Sequence, residues 1–195
     1  TTTFAPFQTL RCLDQIKVDL AYSELGVTMV GLASGLINGP LGNTHCCIED
    51  IGALRSIPNI VLLSPADGLG IAKSIVASLQ MKNPVYIRLT GGPNHPVVYH
   101  NDIDYIIGKF IHLIHGEDIS IIATGTMVYN SLKAAEILKE KGIVVSVYDA
   151  HTIKPIDEGE ADAEINKHRR DLSKDSKKHN LGASENRKFT EGSER

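Results

Sequence analysis

Tryptophan is absent from the 195 residues, phenylalanine occurs only four times, and there are just three cysteines, two of them neighbours. Three thiols do not make the disulfide framework that staples small extracellular domains, and with no charged-then-apolar leader in view a reducing cytoplasm is the expectation. Positive charge is not in excess, since 20 Lys and Arg stand against 23 Asp and Glu for a net charge of −3. No basic face or run of the kind a phosphate backbone requires is visible, so nucleic acid is disfavoured as a partner and a small anionic metabolite fits better. Long apolar runs are missing as well. The longest pieces, such as NIVLLSP, fall far short of the roughly 18 to 20 residues of a membrane helix, and no membrane association is expected.

What is present is a hydrophobic share of 42%, enough for one ordinary domain or two small ones. Residues 7–25 place Leu10, Leu13, Val18 and Leu20 near helical spacing with Asp14, Lys17 and Asp19 between them, which predicts an amphipathic helix. VTMVGLA then reads as a buried strand running into the Gly- and Asn-rich loop SGLINGPLGN. The segment HCCIEDIGALRS is predicted as a helix capped by Asn43 or Thr44, with Glu49 and Asp50 near its positive end and Pro58 closing it. NIVLLSP, ADGLGIAKSIVASLQMK and PVYIRL follow as strand, helix and strand. Strands too apolar for one-sided exposure, alternating with helices, imply an α/β fold with a parallel sheet flanked by helices.

TGGPNHPVVYHND, dense in Gly, Pro, Asn and His, reads as a linker, set at residues 94–107, after which ISIIATGT, MVYNSLKAAEILKEKG and IVVSVYDA restart the strand, helix, strand pattern with Gly142 as C-cap. The expected organisation is therefore a domain over 1–93, a linker, a partial second α/β domain over 108–157, and a polar tail over 158–195. That tail has hardly any large apolar residue and is expected to be disordered, with at most a helical patch over 161–170.

The stretch GNTHCCIED concentrates chemistry-bearing residues. On the predicted helix, Cys46 and Cys47 diverge by about 100°, so they do not share one metal ion, and no third group orients a Cys–His pair. The two cysteines read as small packing residues. His45 follows a Gly-rich loop at a helix start, a place where backbone N–H groups favour anions, and reads either as a site residue or as a capping one. Phe4 and Phe7 either hold an aromatic ligand ring or staple the first helix to the sheet. GLASGLINGP has neither dinucleotide-fingerprint spacing nor a phosphate-loop lysine, and the remaining histidines show no metal spacing, His112 and His115 reading as surface residues of a strand and turn.

Five blocks in order, TFAPFQTLRCLDQIKVDLAY, NGPLGNTHCCIEDIGALRSIPNIVLLSPAD, PVYIRL, IATGTMVYNSLKAAEILKEKGI and HTIKPID, resemble the transketolase family from the first residue to about Asp157. The resemblance implies a thiamine-diphosphate enzyme moving a two-carbon ketol unit between sugars of carbohydrate metabolism, such as the pentose phosphates. This chain would supply the pyrimidine-binding domain and the start of the C-terminal domain. It implies that Phe4, Phe7 and Leu10 contact the cofactor ring, and that His45 bonds sugar hydroxyls near the reacting carbon. Mg²⁺ and the cofactor's diphosphate would be held by a partner half in a homo- or hetero-oligomer such as a dimer, with no metal ligand in this chain. The family's catalytic glutamate lies upstream of the first matching block. Ala33, Leu41 and Gly91 stand where members place histidine, aspartate and arginine that contact sugar or phosphate. Other readings are a β subunit of a 2-oxoacid dehydrogenase, a deoxyxylulose-phosphate synthase, or a non-catalytic assembly module.

Overall fold

The computed structural model describes residues 1–92 and 94–178. Residues 1–157 form one compact unit. Its elements are β1 (Thr2–Phe4), α1 (Ala5–Gln8), α2 (Leu13–Gln15), β2 (Thr28–Leu32), α3 (Asp50–Arg55), β3 (Val61–Leu63), α4 (Gly68–Ser78), β4 (Val85–Arg88), β5 (Ile111–Ile114), β6 (Ile119–Ala123), α5 (Met127–Glu140), β7 (Val145–Asp149) and β8 (Thr152–Lys154). Two sheets result, one in the order β1-β2-β4-β3-β8 and one in the order β5-β7-β6.

In the first sheet β1, β2, β4 and β3 run parallel, and β8 closes the far edge antiparallel to β3. Its central strands are buried on both faces, which is why they read as continuous apolar runs. Val61, Leu63, Val85 and Ile87 pack on one side, while Leu62 and Tyr86 join Ile16, Met29 and Leu54 on the other. Gly31 has to lack a side chain, because a Cβ there would collide with the Tyr86 ring, whose Cε2 would lie only 2.7 Å away. In the second sheet β6 and β7 are parallel, β5 is antiparallel, and α5 covers Val145 and Val147 through Leu132, Ala135 and Leu138. Ala66, Tyr99, Ala123 and Val128 fill the seam between the two sheets.

Several expectations are corrected here. The helix predicted over residues 7–25 is broken at Thr9 into α1, a 3₁₀ turn (Leu10–Cys12), α2 and a π-helical stretch (Ile16–Tyr22). Thr9 turns its hydroxyl back to the Ala5 carbonyl, 2.7 Å away, and ends the first turn. The helix predicted to start at His45 starts only at Asp50, because Cys47 is held extended by a reciprocal backbone pair with Gly35, at 2.6 and 2.9 Å. The segment around residues 94–107 is not a free linker, since Tyr99 is buried and the Tyr105 hydroxyl meets Ser74 at 2.8 Å. HTIKPID does not stay with the second sheet. Its β8 pairs with β3, and Lys154 Nζ donates to the carbonyls of Arg55, at 3.1 Å, and of Ile57, at the end of α3.

The second compact unit begins at Glu158. Where disorder was expected it carries a helix, α6 (Glu158–Lys178), with Glu158 and Glu160 in the first turn at the positive end of the dipole. Glu164 lies 3.9 Å from Lys167 and 3.8 Å from His168, pairs at helical spacing. The helix includes the patch expected over 161–170 and extends beyond it, and the rest of the expected tail, residues 179–195, lies outside the described residues. No helix among the described residues is long and apolar enough to cross a membrane.

Candidate functional site

β1 and β2 end side by side, with Phe4 opposite Leu32, and this places the loops after both strands at one edge of the sheet. Phe4 is the last residue of β1, and Pro6, whose missing N–H costs nothing in a first turn, opens α1 and carries Phe7 round to the same edge. The loop after β2 returns through Gly42, at φ +75°, where the His45 N–H meets the Gly42 carbonyl at 3.1 Å. The outcome is a cluster of three half-buried rings. Phe4 and Phe7 are 5.9 Å apart edge to face, and His45 lies 5.3 Å from Phe4 and 5.1 Å from Phe7. The Arg11 guanidinium lies 3.9 Å over the Phe7 ring, and Thr44 Oγ1 bonds His45 Nδ1 at 2.9 Å.

Three of the four residues picked from the sequence are thus brought together, although His45 reaches the cluster from a loop and not from a helix start. Leu10 opens the 3₁₀ turn at 38% exposed and is not part of the ring cluster. Cys47 is buried with its sulfur 3.7 Å from Thr9 Oγ1, and burial raises its thiol pKa above the ordinary value, so it is a packing residue and not a thiolate nucleophile. Cys46 is partly buried and also free of any disulfide.

Beside the ring cluster, across Leu32, a cavity of about 480 Å³ opens between the ends of β2, β3 and β4. Ala33, Ile37 and Leu89 are among its apolar walls, Gly91 and His95 close one side, and Thr126 reaches it from the start of α5. Ala33 and Gly91 therefore do share one site, whereas Leu41 sits in the loop at 55% exposed.

Beneath this edge lies an anchoring pair. Asp50, fully buried, accepts from the Tyr86 hydroxyl and from Arg88 Nε, both at 2.8 Å, so Arg88 is committed to a carboxylate inside the fold. At the seam, Asp67 caps α4 through the Gly70 N–H at 3.0 Å and accepts from the N–H groups of Val98 and Tyr99 at 2.8 Å each. The Tyr99 hydroxyl donates to Asp149 at 2.6 Å. Burial lifts the Asp149 carboxyl to about 7, against the stabilising Tyr99 bond and with the Asp67 charge adding to the rise. His151 is fully buried, stacks on Tyr105 at 3.9 Å, and is driven down to about 4 by desolvation. None of this seam was read from the sequence, although Asp67 directly before the helical run GLGIAKS is a capping signal that was there to be found.

The ring cluster fits one part of the cofactor that the resemblance implies. Two half-buried phenyl rings and an imidazole suit a planar heteroaromatic ring. Among the described residues no group of three His, Cys, Asp or Glu side chains is placed to hold a metal ion.

Residues 1–92 match the family model described as transketolase, pyrimidine binding domain, and residues 108–185 match that described as transketolase, C-terminal domain. The chain is 40% identical over 154 residues to one subunit of the apulose-4-phosphate transketolase of Phocaeicola vulgatus, covering 78% of this chain and 49% of that protein. It is 38% identical over 159 residues to the putative transketolase C-terminal section of Methanocaldococcus jannaschii, covering 80% and 50%. A solved structure described as split gene transketolase, inactive beta4 tetramer, superposes with a TM-score of 0.76 at 31% identity, covering 85% of this chain and 53% of that one. The chain thus spans about half the length of these curated relatives.

Proposed function

The chain belongs to the transketolase family, and we propose that it supplies the pyrimidine-binding half of a thiamine-diphosphate-dependent transketolase that is completed by a partner half. The observation that carries this reading is the convergence of Phe4, Phe7 and His45 at one sheet edge. Relatives named as a single transketolase subunit and as a C-terminal section, and a structural relative named as a split-gene chain inactive as a β tetramer, support the need for a partner.

When bound, thiamine diphosphate supplies the nucleophilic carbon with which such enzymes cleave and re-form the carbon–carbon bond beside a ketol carbonyl. This chain's contribution is binding and orientation. Phe4 and Phe7 would pack against the aminopyrimidine ring and exclude water from it, and the Arg11 guanidinium, 3.9 Å over the Phe7 ring, would hold that ring in place. Leu10 adds an apolar contact at the rim. The Thr44 hydroxyl bond to Nδ1 orients the His45 ring so that Nε2 is presented to a sugar hydroxyl next to the reacting carbon. The diphosphate, its Mg²⁺ and the glutamate that acts on the aminopyrimidine are assigned to residues other than these.

Mixing this chain with a diphosphate-binding transketolase half tests the reading. Ketol transfer from a ketose to an aldose is expected from the mixture and from neither component. A mixture that forms a stable complex yet moves no ketol unit would sink it.

A further inference from the structure

The cavity of about 480 Å³ next to the ring cluster falls within the roughly 300–1,000 Å³ usual for small-molecule sites. Its wall is continuous with the cofactor edge, because Leu32, which lines it, pairs directly with Phe4. Leu32, Ala33, Ile37, Ile71 and Leu89 make it largely apolar, and Asn38, Thr90 and Thr126 add neutral hydrogen-bonding groups. Asn38 Nδ2 is itself buried and has no hydrogen-bond partner among the described residues.

Lysine and arginine are what the cavity wall lacks among the described residues, and its two ionisable groups are engaged elsewhere. Asp67 already accepts three backbone N–H bonds, and His95 Nε2 is held on the Ala66 carbonyl at 2.7 Å. The start of α4, which could otherwise attract an anion, is capped by the Asp67 carboxylate itself. Arg88, two residues before Thr90, is turned away onto Asp50 and the Cys47 carbonyl. A phosphate or sulfonate entering here would lose its hydration beside a carboxylate and meet no lysine or arginine among the described residues.

Resting on the function proposed above, we propose that this cavity receives an uncharged end of the sugar substrate, a hydroxylated or deoxygenated carbon chain, and selects against a terminal phosphate or sulfonate.

The assembled enzyme is tested with D-erythrose and with the same aldose bearing a terminal phosphate. Expected is a kcat/KM at least tenfold higher for the unphosphorylated sugar, and a ratio of one or below overturns the proposal. Asn38→Arg, which adds a cation to a loop position on the wall, is expected to improve the phosphorylated aldose at least tenfold through KM, with the circular dichroism spectrum retained. The lining residues named above all belong to this chain, so a second arm needs neither partner nor cofactor. In nuclear magnetic resonance titrations of the chain alone, the amides of Gly91, Gly92 and Thr126 are expected to shift with millimolar D-erythrose and to stay still with inorganic phosphate. Shifts with phosphate, or none with erythrose, overturn the proposal. Loss of ketol transfer with these shifts intact would count against the proposed function instead.

Discussion

His45 and His151 mark two regions that use the same residue types to opposite ends. At the sheet edge His45 is half-buried between two phenyl rings whose edges and faces are only partly covered. At the seam His151 is fully buried against Tyr105, with Asp149 and Tyr99 beside it and Asp67 tying the connecting segment to α4. The edge cluster leaves ring surface open, which the cofactor contact proposed above requires. The seam cluster is closed and holds the fold together, and its titratable groups are shifted because burial penalises their charged forms.

The sharpest way to break this contrast is at Asp67. Asp67→Ala removes one buried acceptor from three N–H groups, and is expected to destabilise the chain by about 4 kcal/mol, read as a lower urea midpoint at unchanged slope. A loss below about 1 kcal/mol would mean the seam is not an anchor.

The pH dependence of stability comes next, and its two parts oppose one another. Asp149 titrates at about 7 in the fold and at about 4 unfolded, so the native state holds the extra proton in between and stability falls as pH rises from about 4 to 7. His151 titrates at about 4 in the fold and at about 6.5 unfolded, so the unfolded state holds the extra proton and stability rises with pH over about 4 to 6.5. The natural chain is expected to show a nearly flat profile there. Asp149→Asn unmasks the histidine, and stability should then climb by about 3 kcal/mol between pH 4 and 6.5. A profile that stays flat in the variant contradicts the burial of His151.

Tyr99→Phe removes only the 2.6 Å bond to Asp149 and is expected to cost about 1–2 kcal/mol, measured by thermal melting at pH 7. At the edge the order reverses. His45→Ala should change stability by less than about 0.5 kcal/mol, yet lower kcat/KM of the assembled enzyme about tenfold, the value of one hydrogen bond to substrate.

How much of this was legible depended on whether local pattern or distant contact decides the structure. The central strands and α4 and α5 announced themselves by apolar run and length, and α5 also by the glycine after its end. Phe4, Phe7 and His45 were each singled out from the sequence with alternatives left open, and only the family resemblance assigned them to one site, since neither composition nor spacing joins residues 45 and 4. The start of α3 was misplaced because the Gly35–Cys47 pairing that keeps residue 47 extended is not a local signal. β8 was missed for the same reason, its partner β3 being about ninety residues away in the chain. The seam was invisible because Asp67, Tyr99 and Asp149 are isolated polar residues whose meaning appears only when the two sheets close on them.

The central claim is that this chain holds only the ring end of the cofactor, at Phe4, Phe7 and His45. Isothermal calorimetry of thiamine diphosphate with Mg²⁺ tests it most directly, against the chain alone, against its mixture with a diphosphate-binding half, and against the same mixture made with Phe7→Ala. Micromolar binding is expected only from the natural mixture, with the variant at least tenfold weaker. Micromolar binding by the isolated chain, or a mixture indifferent to Phe7, would contradict the account.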